Sequence, residues 1–217
     1  MNSSKEMMNS ILILLLCVLL SSTSHASSIT RQNFCKADLN RPNTPSGYQC
    51  LPSDTVTAAD FKYSFNGKPG IPLPSKTLAF PATVLQLPIL NGLGISVSLG
   101  EIEEGGFVPV HDHDADEIVM VLKGQLDVGI LTPLKSYCNT LIPGESMVVP
   151  KGLLHYLINS GPGKAVFLAP FSNPNPVFRF LYEELFANDV PSRILSQVSF
   201  LDKPQVRKNK ARFNGTG

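Results

Sequence analysis

The chain has 217 residues, 43% of them hydrophobic, with a formal net charge of +1. That length accommodates one large domain or two small ones. The near-neutral balance removes any global electrostatic reason to bind nucleic acid.

Residues 1–26 have the layout of a cleaved secretory signal. Lys5 supplies a basic start, Ile11 to Leu20 (ILILLLCVLL) is an unbroken apolar run, and Ser24-His25-Ala26 offers small residues for cleavage. The run is short for a membrane span, and no other stretch is apolar enough to cross a bilayer, so a secreted chain without a membrane anchor is expected. Cys17 leaves with the signal, which leaves Cys35, Cys50 and Cys138. In residues 27–76 prolines, glycines and asparagines interrupt every periodic run, as in an arm that wraps a core built elsewhere. Cys35 and Cys50 flank a loop there with little core of its own, and an oxidising compartment favours a disulfide between them. Closing such a loop contributes about 3 kcal/mol. Cys138 reads as a small buried apolar residue. Thr57 to Phe61 (TAADF) suits a short helix, and Lys68 to Ser75 (KPGIPLPS) an extended loop.

Residues 77–175 change to a β pattern. Short apolar runs (GISVSLGEI, EIVMVLKG, QLDVGILT, ESMVVPKG, LLHYLINS, AVFLAPFS) alternate with glycine and proline turns, which indicates a sandwich or barrel. Lys123-Gly124 and Pro150-Lys151-Gly152 read as hairpin turns. Residues 176–217 take a helical period. Val177 to Phe186 (VFRFLYEELF) and the segment after Pro191 carry apolar residues three and four apart, and Asp202 suits the cap of a third helix. These helices hold more apolar surface than one small barrel needs, which points to a subunit interface. The basic run VRKNKAR reads as a solvated helix face, with an acidic cell-wall polysaccharide as the alternative partner. Phe213 to Gly217 reads as a frayed tail.

Every histidine outside the signal falls in one constellation: His111 and His113 in VPVHDHDADE, and His155 in PKGLLHYLIN. Residues two apart on a strand point to one side, so His111 and His113 share a pocket. Asp114-Ala115-Asp116 is turn sequence, after which Glu117 opens the next strand and can return to that pocket. Three imidazoles and a carboxylate, without thiolate, disfavour structural zinc. Mn²⁺ or Fe²⁺ suits the set, and Zn²⁺ can use the same groups. Asp112, Asp114 and Asp116 lack the spacing and glycine of a calcium loop and read as turn residues, one of them suited to supporting a ligand.

The run Gly105, His111, His113, Glu117, Gly124 resembles the first cupin motif, and Gly144, Pro150, Gly152, His155, Asn159 the second. With the leader, the Cys35–Cys50 pair, TAADF and the C-terminal helices, the mature chain resembles the plant germins and germin-like proteins. The resemblance implies a mainly β fold, a jelly-roll β-barrel with C-terminal α-helices. It also implies Mn²⁺ on His111, His113, Glu117 and His155, and an apoplastic glycoprotein assembled as a hexamer, a trimer of dimers. Family activities include oxalate oxidase and superoxide dismutase, with a role in defence and stress, and some members are described as auxin-binding.

Two positions depart from the oxalate oxidases, where asparagines near the metal orient the substrate: here they are Ser98 and Val108. Valine offers a dicarboxylate no hydrogen bond, and losing a charged contact costs about 1.5–3 kcal/mol. Weak or absent oxalate oxidation is therefore expected, while superoxide needs no recognition groups. A non-catalytic wall or receptor protein is the second expectation, with Val108 and Val110 beside the ion suited to a small aromatic acid. A Lewis-acid lyase or isomerase ranks third. Outside the leader, Asn214-Gly215-Thr216 is the sole glycosylation sequon.

Overall fold

The structure, a computed structural model, describes residues 33–217. The expected secretory leader lies outside the described residues. Among these, no helix is long and apolar enough to cross a membrane.

Among the described residues, eleven strands form two antiparallel sheets. The first sheet holds β1 (Ile71–Leu73), β2 (Thr77–Ala82), β3 (Ser96–Ile102), β10 (Ala165–Phe171), β5 (Glu117–Lys123) and β8 (Ser146–Val149), in that spatial order. The second holds β11 (Phe178–Phe180), β4 (Phe107–His113), β9 (His155–Asn159), β6 (Leu126–Leu131) and β7 (Ser136–Leu141). One core is built from the inward residues of both, among them Ile102, Val119, Val121, Leu126, Val128, Leu157 and Phe167. The in–out alternation of β3 and of most of β5 is what lets the first sheet bury one face. This is the expected jelly roll, present as two facing sheets, and no ladder between described residues joins them into a closed ring.

Several local expectations change. Lys123-Gly124 joins β5 to β6 and Pro150–Gly152 joins β8 to β9, and each pair spans the two sheets. Both turns are therefore corners between layers, where hairpins were expected. Gly124 is required at its corner: its φ is +78° and a Cβ would lie 2.8 Å from Ala165 Cα. The segment expected as loop at Lys68–Ser75 contains β1, an edge strand whose free side tolerates Pro72. In Val177–Phe186, expected as one helix, Phe178–Phe180 is instead a strand paired with β4, and only α1 (Leu181–Phe186) is helical. Pairing with an open sheet edge outweighs a weak local helical period there. Cys138, expected to be buried, is exposed on the edge strand β7. Five of the six residues of β7 are exposed, so the strand has almost no covered face on which to bury a thiol.

In the arm, Cys35 and Cys50 are bonded to each other. Buried Asn91 ties that loop to the body of the fold, accepting from Tyr48 N at 3.1 Å and donating to Tyr48 O at 2.8 Å. TAADF forms a single 3₁₀ turn, Ala58–Phe61, with Thr57 and Asp60 as its capping box.

After α1 come α2 (Ser192–Ser199) and α3 (Lys203–Arg212), the latter capped by Asp202 as expected. Phe186, Leu195 and Val206 form a second, small core. The basic run is not wholly solvated, because Lys210 is buried. Its Nζ donates to Thr216 O at 2.6 Å and to Asn188 O at 2.8 Å and Oδ1 at 3.3 Å. The tail from Phe213, expected to fray, is consequently held: Gly215 N donates to Lys210 O, Thr216 N to Asn188 O, and Ser192 Oγ to Gly217 O at 2.5 Å. Asn214 remains exposed, with φ 60°.

Candidate metal centre

The structure brings His111, His113, Glu117 and His155 together, with one potential donor atom from each within 4.8 Å of the others. All four are buried, none more than 3% exposed. Both sheets contribute. Strands β4 and β9 of the second carry the histidines, and β5 of the first carries the glutamate. The turn Asp114–Asp116 carries the chain from one layer to the other, so a four-residue separation ends in convergence.

A bulge in β4 sets the histidine register. Val108 pairs with Leu157 and His111 with His155, so β4 spends one more residue than β9 between the two pairs. Pro109, which has no N–H for a ladder, falls within it. The extra residue turns both Val108 and His111 inward although they are three apart. It also turns Val110 outward, where it lines a groove with Leu181, Tyr182, Leu185 and Phe186. Val110 was expected near the ion and does not face it.

Backbone carbonyls set the tautomers. Nδ1 of His111 donates to Pro109 O at 2.7 Å, Nδ1 of His113 to Val177 O at 3.2 Å, and Nδ1 of His155 to Leu153 O at 2.9 Å. A carbonyl only accepts, so each Nδ1 carries the proton and each Nε2 presents a lone pair. Glu117 Oε2 lies 3.4 Å from His113 Nε2 and 3.0 Å from His155 Nε2. Those distances suit hydrogen bonds, yet with the protons on Nδ1 no donor stands between these atoms, and all three are buried without a hydrogen-bond partner. Burial first, then the neighbouring imidazoles of His155 and His113, pulls the pKa of His111 down to about 3. For Glu117 burial acts upward, and hydrogen bonds from His113 and His155, available only when their Nε2 atoms carry protons, act downward. In the tautomers that the three carbonyls set, three Nε2 lone pairs and one carboxylate converge with no proton between them. A cation satisfies such a set, and the residues fit one.

The three aspartates hold the frame. Asp112 takes Arg179 in a two-pronged pair, Nε at 2.7 Å and Nη2 at 3.0 Å, which clips β11 onto β4. Asp114 accepts from Val177 N at 2.8 Å and Asn173 Nδ2 at 3.1 Å, setting the segment whose carbonyl orients His113. Asp116 accepts from Lys151 N at 2.9 Å and Ser172 Oγ at 3.2 Å. The Arg179 guanidinium beside Asp112 holds its carboxyl below the usual 3.8. A depressed pKa means that the pair stabilises the fold above the ordinary carboxylate range and loses that effect as pH falls through the depressed value. The thermal midpoint of Asp112→Asn is therefore expected to lie below wild type at neutral pH and to meet it on acidification. Parallel midpoint–pH curves would contradict this.

Beside the ligands lies a cavity of ≈ 30 Å³. Its walls are Val108, Leu157, Phe167, Phe171 and other apolar side chains, with two hydroxyls, Ser98 and Thr77. Both hydroxyls are committed to backbone, Ser98 Oγ to Leu99 O at 3.3 Å and Thr77 Oγ1 to Phe107 O at 3.0 Å. No lysine, arginine or side-chain amide lines it. Both positions singled out from the sequence, Ser98 and Val108, thus border the ligands. Sequence reasoning missed Phe178, which lines the same cavity from β11, because it sits in what reads as a helix.

The chain matches the cupin family over residues 74–207. It is 42% identical to germin-like protein 8-14 of Oryza sativa subsp. japonica, across 88% of this chain and 91% of that one. It is 39% identical to auxin-binding protein ABP19a of Prunus persica, across 91% and 95%. Among solved structures it superposes on an oxalate oxidase with a TM-score of 0.78 and 32% identity, covering 84% of this chain and 96% of the other.

Proposed function

The chain belongs to the germin-like proteins of the cupin family, and on that footing we propose that it is a secreted, Mn²⁺-holding protein of the plant apoplast that dismutates superoxide and leaves oxalate untouched. The observation that carries the reading is the ≈ 30 Å³ cavity bordered by His111 and Glu117, whose other walls are apolar and offer no free polar group. A cavity of that size has room for about two waters. It suits a diatomic anion and offers an oxalate dianion neither space nor partner.

His111, His113, Glu117 and His155 would hold the ion, which when bound supplies a one-electron couple. The chain's own residues do the rest. The carbonyls of Pro109, Val177 and Leu153 keep each imidazole in the donor tautomer. Glu117 stays ionised, and Val108, Leu157 and Phe171 keep larger polar solutes out. The test pairs two assays on metal-loaded protein and a His111→Ala variant. Superoxide is expected to be dismutated by wild type alone, with oxalate oxidation at background in both. Equal superoxide scavenging by the two proteins, or oxalate turnover by wild type, sinks the reading.

A second reading takes its support from the auxin-binding relative and the apolar walls. A small aromatic acid would place its carboxylate against the ion. It requires the cavity to expand, so calorimetry with an indole acid, with and without metal, separates the two. No metal-dependent heat removes the second.

Secretion is supported by the leader-like N-terminus and the Cys35–Cys50 disulfide. Assembly, as the hexamer that the family likeness implies, takes its support from bare apolar residues on and beside α2 that suit a subunit interface, with Val198 65% and Phe200 97% exposed. The double variant Val198→Glu, Phe200→Glu is expected to lower the mass seen by light scattering. An unchanged mass places the interface elsewhere. Cell-wall polysaccharide remains a proposed partner for the outward cations of α3.

A further inference from the structure

The four ligands are closed off from solvent, so any solute or exchanging ion must pass a side chain that moves. Of the residues lining the cavity, Leu73, Leu78 and Ala79 are half-buried and Phe178 is the most exposed, at 40%. Its ring meets His113 edge to face at 4.2 Å, lies parallel to His111 at 6.3 Å and contacts Phe171 at 5.7 Å. One face thus covers the ligands while another meets water. We propose that Phe178 is the door of the metal centre, and that its ring sets both the rate at which the ion exchanges and the size of ligand admitted. This rests on the reading that a cation occupies the four-residue site.

The backbone around Phe178 cannot supply the opening cheaply. Arg179 is clamped to Asp112 by two hydrogen bonds, and Val177 N is held by Asp114 while Val177 O is held by His113. Moving β11 as a unit would break all of these and release the orientation of His113. Turning one half-exposed side chain breaks none, and exposed rotamers exchange within nanoseconds. The neighbouring walls are poor alternatives. Phe171 and Phe167 are buried on the central strand β10, and Phe167 lies over Gly100 so closely that a Cβ there would meet its ring at 2.2 Å. A ring fixed against the sheet in this way has no free rotamer to open. Phe178 sits instead on a three-residue edge strand paired on one side only.

The experiment measures the first-order release of Mn²⁺ from loaded protein to excess EDTA, followed by the growth of a chelate EPR signal. Wild type, Phe178→Ala and Phe178→Trp are compared at equal occupancy. Truncation is expected to speed release about ten-fold or more, the effect of about 1.4 kcal/mol on a barrier, and the larger ring to slow it. Equal rates in all three at full occupancy overturn the door. Faster release from both variants also overturns it, because the contact with His113, rather than the aperture, would then control exchange. If the alanine variant does not fold, the tryptophan variant decides: slower release supports the door, and unchanged or faster release rejects it. A wild-type chain that holds no ion overturns the metal reading itself, and the door falls with it.

Discussion

Replacing Glu117 with glutamine is expected to abolish the metal response of this protein while leaving its metal-free fold intact or slightly firmer. Wild type should melt higher on addition of Mn²⁺ and lower after chelation. An ion present at 100 times its dissociation constant stabilises the native state by about 2.7 kcal/mol. Glu117→Gln keeps the size and shape of the side chain and removes the one negative charge among the ligands. Losing even a residue that only supports a ligand costs about 10–100-fold in affinity, so loss of this ligand is expected to cost at least about 100-fold. The metal-free protein behaves differently. There Glu117 Oε2 and the Nε2 atoms of His113 and His155 are buried without partners, and a buried unpaired charge is destabilising. A neutral amide that can donate to an imidazole lone pair relieves that conflict. Differential scanning calorimetry with and without Mn²⁺ checks both halves. A variant that still gains stability from the metal would show that the carboxylate is not a ligand.

The second large effect is expected at Lys210, far from the centre. Its ammonium is buried and satisfies Asn188 O, Asn188 Oδ1 and Thr216 O. Lys210→Ala would leave these acceptors unpaired and open a cavity beneath α3. Hydrogen bonds to a charged donor contribute about 1.5–3 kcal/mol each, and part of that returns as water enters, so a loss of about 2–3 kcal/mol is expected. The small core of Phe186, Leu195 and Val206 is separate from the main one, so the loss should be local. Amide hydrogen exchange should accelerate in α2, α3 and the tail and stay unchanged in β3, β5 and β10. Uniform acceleration would mean that the helices and the sheets unfold as one unit.

How much of the centre was legible depended on the distance over which its signals act. His111 and His113 share a face because strand side chains alternate, and Glu117 follows a turn of three polar or small residues; both facts are local. The bulge at Pro109–Val110 was not legible, since a bulge is defined by the partner strand. Without it Val110 was assigned to the ion, when it faces the groove over α1. Phe178 failed for the same reason. Its neighbours carry a helical period, and only the open edge of β4 makes Phe178–Phe180 a strand. The Lys123-Gly124 and Pro150–Gly152 turns were correctly located, but whether a turn joins strands within one sheet or across two depends on pairings far along the chain.

Residue type and short spacing were enough for the β class, the four candidate ligands, the bonded cysteine pair and the Asp202 cap. In each of these, steric and hydrogen-bonding rules act within a few residues or through a recognisable local motif. Folding in three dimensions settled the remainder: which sheet carries which ligand, which imidazole nitrogen holds its proton, why Lys210 is buried, and which ring stands at the mouth of the centre. Those outcomes depend on carbonyls and strand edges brought together from distant parts of the chain, and nothing in a local pattern encodes such a meeting.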